Sequence, residues 1–382
     1  MAFESVDQLQ KILAHAVFHY TQDAKKASGR ALGTLVEIIT FYLLKTWGFE
    51  DSIAIERALP EYGNAEISHN VEYSLHPTLE KFTIALPDQL PLTSTRIISR
   101  LKADQQLDWT GFTKTGNTLL NSSKVLRNAC TLANRNEPYP SLLMANLLPG
   151  DSYRIQVIEQ YARPFAIFEC KRVGVEEGTR KGPQTIEKAK QGAYVARSSS
   201  SLQKIRMPSG ELAGLIYKPD GELYTKTYSS LVAEVIASHQ AELLSDFVLT
   251  VGVVSNHGNW FTSDNHNKEL KVLAQSYDWL LFLTDEGLAE FITQVLLKPD
   301  GALQSAKRAF LSSYTAGKKK NLFTKVQMDF EANQALLDYF SEHLARIEQW
   351  FNPISPRQRS IQELKLQLST LHNKNWKAVH SL

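Results

Sequence analysis

The chain has 382 residues, of which 43% are hydrophobic, 21% charged and 10% aromatic, and its net charge is +2. That length allows one large domain with an appendage, or two domains, around a sizeable core. The near-neutral balance excludes a general polyanion binder, so a nucleic-acid site has to come from local clusters of Lys and Arg.

Cys130 and Cys170 are the two cysteines, too few for a disulfide scaffold. The N-terminus carries Glu4 and Asp7 ahead of its apolar residues and has no basic start, so it does not read as a signal peptide. No apolar run is expected to approach a membrane span, and the compartment that follows is the cytoplasm, with no membrane partner.

In chain order, helical spacing of Val6, Leu9, Ile12, Leu13 and Val17 predicts a first helix over 4–20. A second is predicted from Arg30 to Trp47, closed by Gly48. "VEYSLHP" and "KFTIALPD" read as the two strands of a hairpin, and Val125 to Ala133 as helical. Tyr153 to Glu159 and Phe165 to Lys171 read as strands joined through a tight "QYARP" turn, hence an antiparallel pair. A polar loop with Gly174, Gly178 and Gly182 follows, then a helix from Thr185 to about Arg197. "DFVLTVGVVS" reads as a buried strand, and "WLLFLTDEGLAEFITQVL" as a strand entering a helix capped by Asp285. The tail is helical and charged. The division is a domain over 1–300 with an inserted region around 51–145, and a helical region over 301–382 for dimerisation or DNA contact.

"RPFAIFECKRVG" is the stretch that points to chemistry. An apolar strand ends in Glu169 and Lys171, which share one face, and burying either charge without a partner costs several kcal/mol. With the turn centred near Tyr161 and Ala162, position 151 falls opposite position 172, which brings Asp151 beside Glu169 and Lys171. Two carboxylates and an ammonium at one sheet edge suit hydrolysis of a phosphodiester: the carboxylates can hold Mg²⁺, and the lysine can orient the attacking water or stabilise the crowded phosphate.

Asp151 followed by Glu169-Cys170-Lys171 resembles the PD-(D/E)XK nuclease superfamily, known best from type II restriction endonucleases. Gly150 stands where the family pattern has proline. The resemblance spans about residues 30–290 and implies an α/β fold: a restriction-endonuclease-like core with a central mixed β-sheet flanked by helices, ordered helix, three-strand meander, helix and strand. It implies Asp151 and Glu169 as metal ligands with the Cys170 carbonyl, Lys171 at the attacking water, and Glu37 of "GTLVEIITFYLL" as an accessory acid. Arg172, Arg180, Lys181, Lys188 and Lys190 form a local basic excess for a DNA-contacting loop, and Gln191 occupies a helix where some members carry a supporting glutamine. The implied activity is Mg²⁺-dependent cleavage of double-stranded DNA by a homodimer, with a cognate DNA methyltransferase in the same cell. A structure-specific repair nuclease and a DNA-binding protein with an inactive nuclease fold are the alternatives.

Other Glu-x-Lys triplets, Glu269 to Lys271 and Glu363 to Lys365, lie in helical surroundings. His257 and His266 among asparagines look superficially like an HNH nuclease but lack a third ligand one helix later. "GTRKGPQ" has neither the spacing nor the ending of a P-loop, and no Cys or His pair has zinc spacing.

Overall fold

The computed structural model describes residues 6–19, 23–61, 64–104, 107–150, 152–174, 202–217, 221–245, 247–257, 268–314 and 323–381. Two helices lead in, α1 (Val6–Ala16) and α2 (Ala24–Leu44). Asp23 caps α2 by accepting a hydrogen bond from the Lys26 N–H at 2.9 Å, so the helix starts six residues before the predicted Arg30. It loosens into a π-turn over Lys45–Phe49, where Gly48 takes the left-handed conformation at φ +89°.

Most of α2 is buried, from Ala31 and Leu32 through Leu43 and Leu44. This corrects the membrane expectation: Ala24–Phe49 is long and apolar enough by composition to cross a bilayer, with 67% of its apolar window buried inside the fold. Its apolar character is that of a core helix.

The fold is α/β, built on a six-stranded mixed sheet in the spatial order β1 (Ile53–Glu61), β2 (Asn64–Leu75), β3 (Ala166–Gly174), β4 (Leu249–His257), β5 (Trp279–Leu283) and β6 (Phe351–Ser355). β1, β2 and β3 are mutually antiparallel, β4 and β5 run parallel to β3, and β6 closes the far edge antiparallel. Helix α3 (Tyr228–Ala237) lies in the crossover from β3 to β4. β3 is central: Phe165, Ala166, Ile167 and Phe168 are almost fully buried. Phe168 and Cys170 face the core that contains α2, while Ile167 packs with Val71 and Val248.

Two predicted hairpins do not form. "VEYSLHP" belongs to β2, but Thr78–Ala85 after it pairs with Arg154–Tyr161 in a different sheet. Arg154–Tyr161 lies between Thr78–Ala85 and Ser141–Leu147, and β3 pairs with β2 and β4 instead. The chain leaves the central sheet after Leu75 and returns to it after Tyr161. The inserted region therefore runs from Thr78 to Tyr161 rather than over 51–145. It contains a five-stranded antiparallel sheet, a helix (Ser94–Ala103) and three short strands of a further sheet, with its own core of Ile97, Leu132, Leu143, Ile155 and Val157. Val125 to Ala133, expected to be helical, is two strands, Val125–Arg127 and Cys130–Arg135. Cross-strand neighbours distant in sequence, Met328 opposite Leu126 and Met144 opposite Thr131 among them, outweigh the local helical spacing.

At the junction His76 is wholly buried, with Nε2 at 2.7 Å from Ser74 Oγ and Nδ1 at 2.9 Å from the Tyr161 carbonyl. Beyond residue 300 come helices, including α4 (Phe330–Glu342) and α5 (Ile361–His372). That region also supplies β6 and the short strand Gln327–Asp329, which pairs with Val125–Arg127 of the insertion. Thr284, one residue before the predicted Asp285, caps the helix after β5.

Candidate active site

The β2–β3 ladder pairs Leu75 with Ala166, Ser74 with Ile167 and Tyr73 with Phe168, then stops. One step on, the register sets Glu72 opposite Glu169, and the backbone pairing gives way to a side chain. The Glu72 N–H donates to Glu169 Oε2 at 3.3 Å, and Glu169 Oε1 accepts from Lys171 Nζ at 2.6 Å. The strands part where the charges begin. Across β2 the same thing happens on the other side: β1 pairs Ile55 with Tyr73 and Arg57 with Val71, while Glu56 between them has φ +51°. A non-glycine residue held there is strained, a condition that tends to accompany functional sites. Glu56, Glu72 and Glu169 thus stand in one row across three neighbouring strands.

Carboxylates in a row repel, and Glu72 and Glu169 are buried. Lys325, also buried, provides the compensation: its Nζ lies 2.9 Å from Glu37 Oε2 and 3.2 Å from Glu56 Oε1, and also pairs with the Glu72 carboxylate. Glu37 reaches the group from α2, whose position over β2 is fixed by a 2.6 Å hydrogen bond from Tyr73 Oη to the Glu37 carbonyl. Four carboxylates and two ammonium groups leave a formal surplus of two negative charges at the point where three strands and a helix meet.

Burial alone would lower the Lys171 pKa. The charge and hydrogen bond of Glu169, helped by Cys170 and Glu37, outweigh it and hold the ammonium above the ordinary lysine range. Lys171 is therefore a cation at neutral pH and acts through charge and donated hydrogen bonds. Burial pushes the Cys170 thiol far up, against a smaller opposing effect of a hydrogen bond with Thr40. Its sulfur stays protonated on the α2 side of the sheet and offers no thiolate ligand.

Of the residues read from the sequence, Glu37, Glu169 and Lys171 come together, with Cys170 between the last two. The turn that was to carry Asp151 alongside Glu169 does not exist, because Arg154–Tyr161 pairs within the inserted sheet. Asp151 itself lies outside the described residues, as do Arg180, Lys181, Lys188, Lys190 and Gln191. Glu72, opposite Glu169, is the carboxylate on the neighbouring strand, where the hairpin reading expected Asp151 opposite position 172 and beside Glu169 and Lys171. Arg172, expected on a DNA-contacting surface, is half-buried and donates to the Gly29 carbonyl at 3.0 Å, which ties β3 to α2.

Glu56, Glu72 and Lys325 were not read from the sequence. Glu72 carries the same mark as Glu169, a glutamate between fully buried apolar neighbours, here Val71 and Tyr73. Among the described residues no three His, Cys, Asp or Glu side chains are set to hold a metal, and the Lys325 ammonium lies among the Glu37, Glu56 and Glu72 carboxylates. The donor chemistry, all carboxylate oxygen with a surplus of two negative charges, nevertheless fits a hard divalent cation such as Mg²⁺.

Compared with known protein families, with curated proteins and with solved structures, the chain matches none.

Proposed function

We propose that the protein is a Mg²⁺-dependent endonuclease that hydrolyses phosphodiester bonds of double-stranded DNA, with a restriction-endonuclease-like catalytic core. The observation that carries this reading is the convergence of Glu37, Glu72, Glu169 and Lys171 where the β2–β3 ladder opens. The order of elements supports it too: a helix bearing an acid, an antiparallel three-strand meander, a helix, and a strand parallel to the third. That is the order implied by the resemblance of Glu169-Cys170-Lys171 to the PD-(D/E)XK motif, with Glu72 in place of Asp151.

Glu72 and Glu169 would hold the cation, with Glu37 and the Cys170 carbonyl beside it. When bound it would lower the pKa of a water and offset charge growing on the phosphate. Lys171, kept protonated and oriented by Glu169, donates to the attacking water or to a non-bridging phosphate oxygen and so stabilises charge that grows in the transition state. The separate β-rich insertion offers a surface for base readout that leaves the catalytic sheet intact. Its presence favours the type II restriction reading, with a homodimer cutting both strands, a cognate DNA methyltransferase protecting the host's own sites, and a cytoplasmic setting.

Incubation of the full chain with a long unmethylated duplex and Mg²⁺ tests the proposal. Discrete fragments are expected. A smear or structure-dependent nicking would overturn the restriction reading in favour of a repair-type nuclease, and intact DNA retarded on a gel would overturn nuclease activity altogether.

A further inference from the structure

The acidic group already holds a cation of the protein's own. Lys325 bridges carboxylates from α2, β1 and β2, buried among them, and the ion it displaces would need the same oxygens. Phe323 and Met328 on either side of Lys325 are buried in the main core with α2, and further anchors come from outside the central sheet. The segment carrying Lys325 makes a tight turn, with Thr324 Oγ1 donating to the Gln327 carbonyl at 2.8 Å and accepting from the Gln327 N–H at 2.9 Å. The Asn128 N–H donates to the Val326 carbonyl at 2.7 Å, and Gln327–Asp329 pairs with Val125–Arg127. Both anchors belong to the inserted unit.

We infer that Lys325, held by Glu37, Glu56 and Glu72, is a tethered counter-cation that competes with the divalent ion for the Glu37 and Glu72 carboxylates, so that loading the site requires the ammonium to withdraw. The inference rests on the proposed cation site but not on DNA cleavage. An ammonium and a divalent ion a few ångströms apart repel strongly in a partly buried setting, so the two cannot share these oxygens at full strength. Lys171 is not equivalent: it pairs with Glu169, and its ammonium is not among the contacts that join Glu37, Glu56 and Glu72. Because the inserted unit supplies part of the tether, a movement of that unit would be felt as a change in cation affinity, and the linkage is reciprocal.

Isothermal titration of the full chain with Mn²⁺, in wild type and Lys325→Met, reads the competition without DNA. The variant keeps the length of the side chain and removes its charge. Its Mn²⁺ affinity should rise by about tenfold or more, while Lys325→Arg should remain near wild type. Equal or weaker binding in Lys325→Met would overturn the inference, and absence of binding in every form would overturn the cation site as well. Tighter binding in a protein that fails to cut DNA would leave the inference standing and the nuclease reading refuted.

A second measurement on wild type covers the case in which Lys325→Met does not fold. Amine labelling followed by mass spectrometry should find Lys325 protected in EDTA and more reactive in saturating Mn²⁺. Unchanged labelling with the ion bound would overturn the competition.

Discussion

Glu169 and Lys171 act as one unit, since each removes the cost of burying the other. Lys171→Ala should therefore keep DNA binding while cleavage falls by about two orders of magnitude or more, as read by gel shift and single-turnover cleavage on the same duplex. Its protonation adds a pH test. The folded-state pKa is raised, so the ammonium and the stabilisation it brings are complete below the ordinary 10.5 and are lost only as pH climbs through the higher folded value. A pH–rate profile should show no loss attributable to Lys171 between pH 7 and 10, and a descending limb in that window that vanishes in Lys171→Arg would contradict the assignment. The Glu-Cys-Lys tripeptide was legible in the sequence because two charges closing an apolar strand demand partners. Glu72 was not, although Val71 and Tyr73 frame it in the same way. Its partner is 97 positions away, and a nearer aspartate beside a plausible turn drew the reading to Asp151.

At the scale of elements, local pattern found several of the strands and predicted their partners poorly. Arg154–Tyr161 and β3 both exist, and a four-residue link between them looks like a hairpin, but the link is a change of sheet. Apolar alternation specifies which face of a strand is buried and carries no information on which core buries it. The helical reading of Val125 to Ala133 failed for a related reason, since those residues are held by cross-strand neighbours distant in sequence, among them Met328.

The junction where the chain first changes sheet makes its own prediction. Burial, with the charge of Arg57, drives the His76 pKa down to about 3 despite favourable hydrogen bonds to the Tyr161 and Ala162 backbone. A histidine kept neutral in the fold and ordinary when unfolded stabilises fully above pH 6.5, and that contribution is lost as pH falls from 6.5 toward 3. Stability measured by urea unfolding should drop by up to about 1.4 kcal/mol per pH unit below that point, and His76→Gln should flatten the slope. Packing after β5 is equally specific: a methyl added at Gly287 would run into the Trp350 side chain, so Gly287→Ala should cost about 1–3 kcal/mol in the same assay.

For the molecule as a whole, three regions far apart in sequence build one site. The N-terminal helix brings Glu37, the central sheet brings Glu56, Glu72, Glu169 and Lys171, and the C-terminal region brings Lys325 on a segment held in part by the insertion. The α/β class with a central mixed sheet was the expectation carried by the family resemblance, and the order of strands and helices read along the chain agreed with it. The role of the C-terminal region was not readable: Val326, Met328 and Phe330 alternate with polar residues as in a strand, but a single lysine acquires meaning only from the carboxylates around it. If the protein grips a duplex through several phosphates, affinity measured by fluorescence anisotropy should fall steeply between 50 and 200 mM salt, by about a thousandfold for six contacts. A flat response would count against a DNA substrate. The most direct trial of the central claim compares wild type with Glu72→Gln on one long duplex in Mg²⁺. Fragments from the wild type and about a hundredfold or greater loss in the variant are the predicted result; cleavage at the wild-type rate by Glu72→Gln would contradict the account.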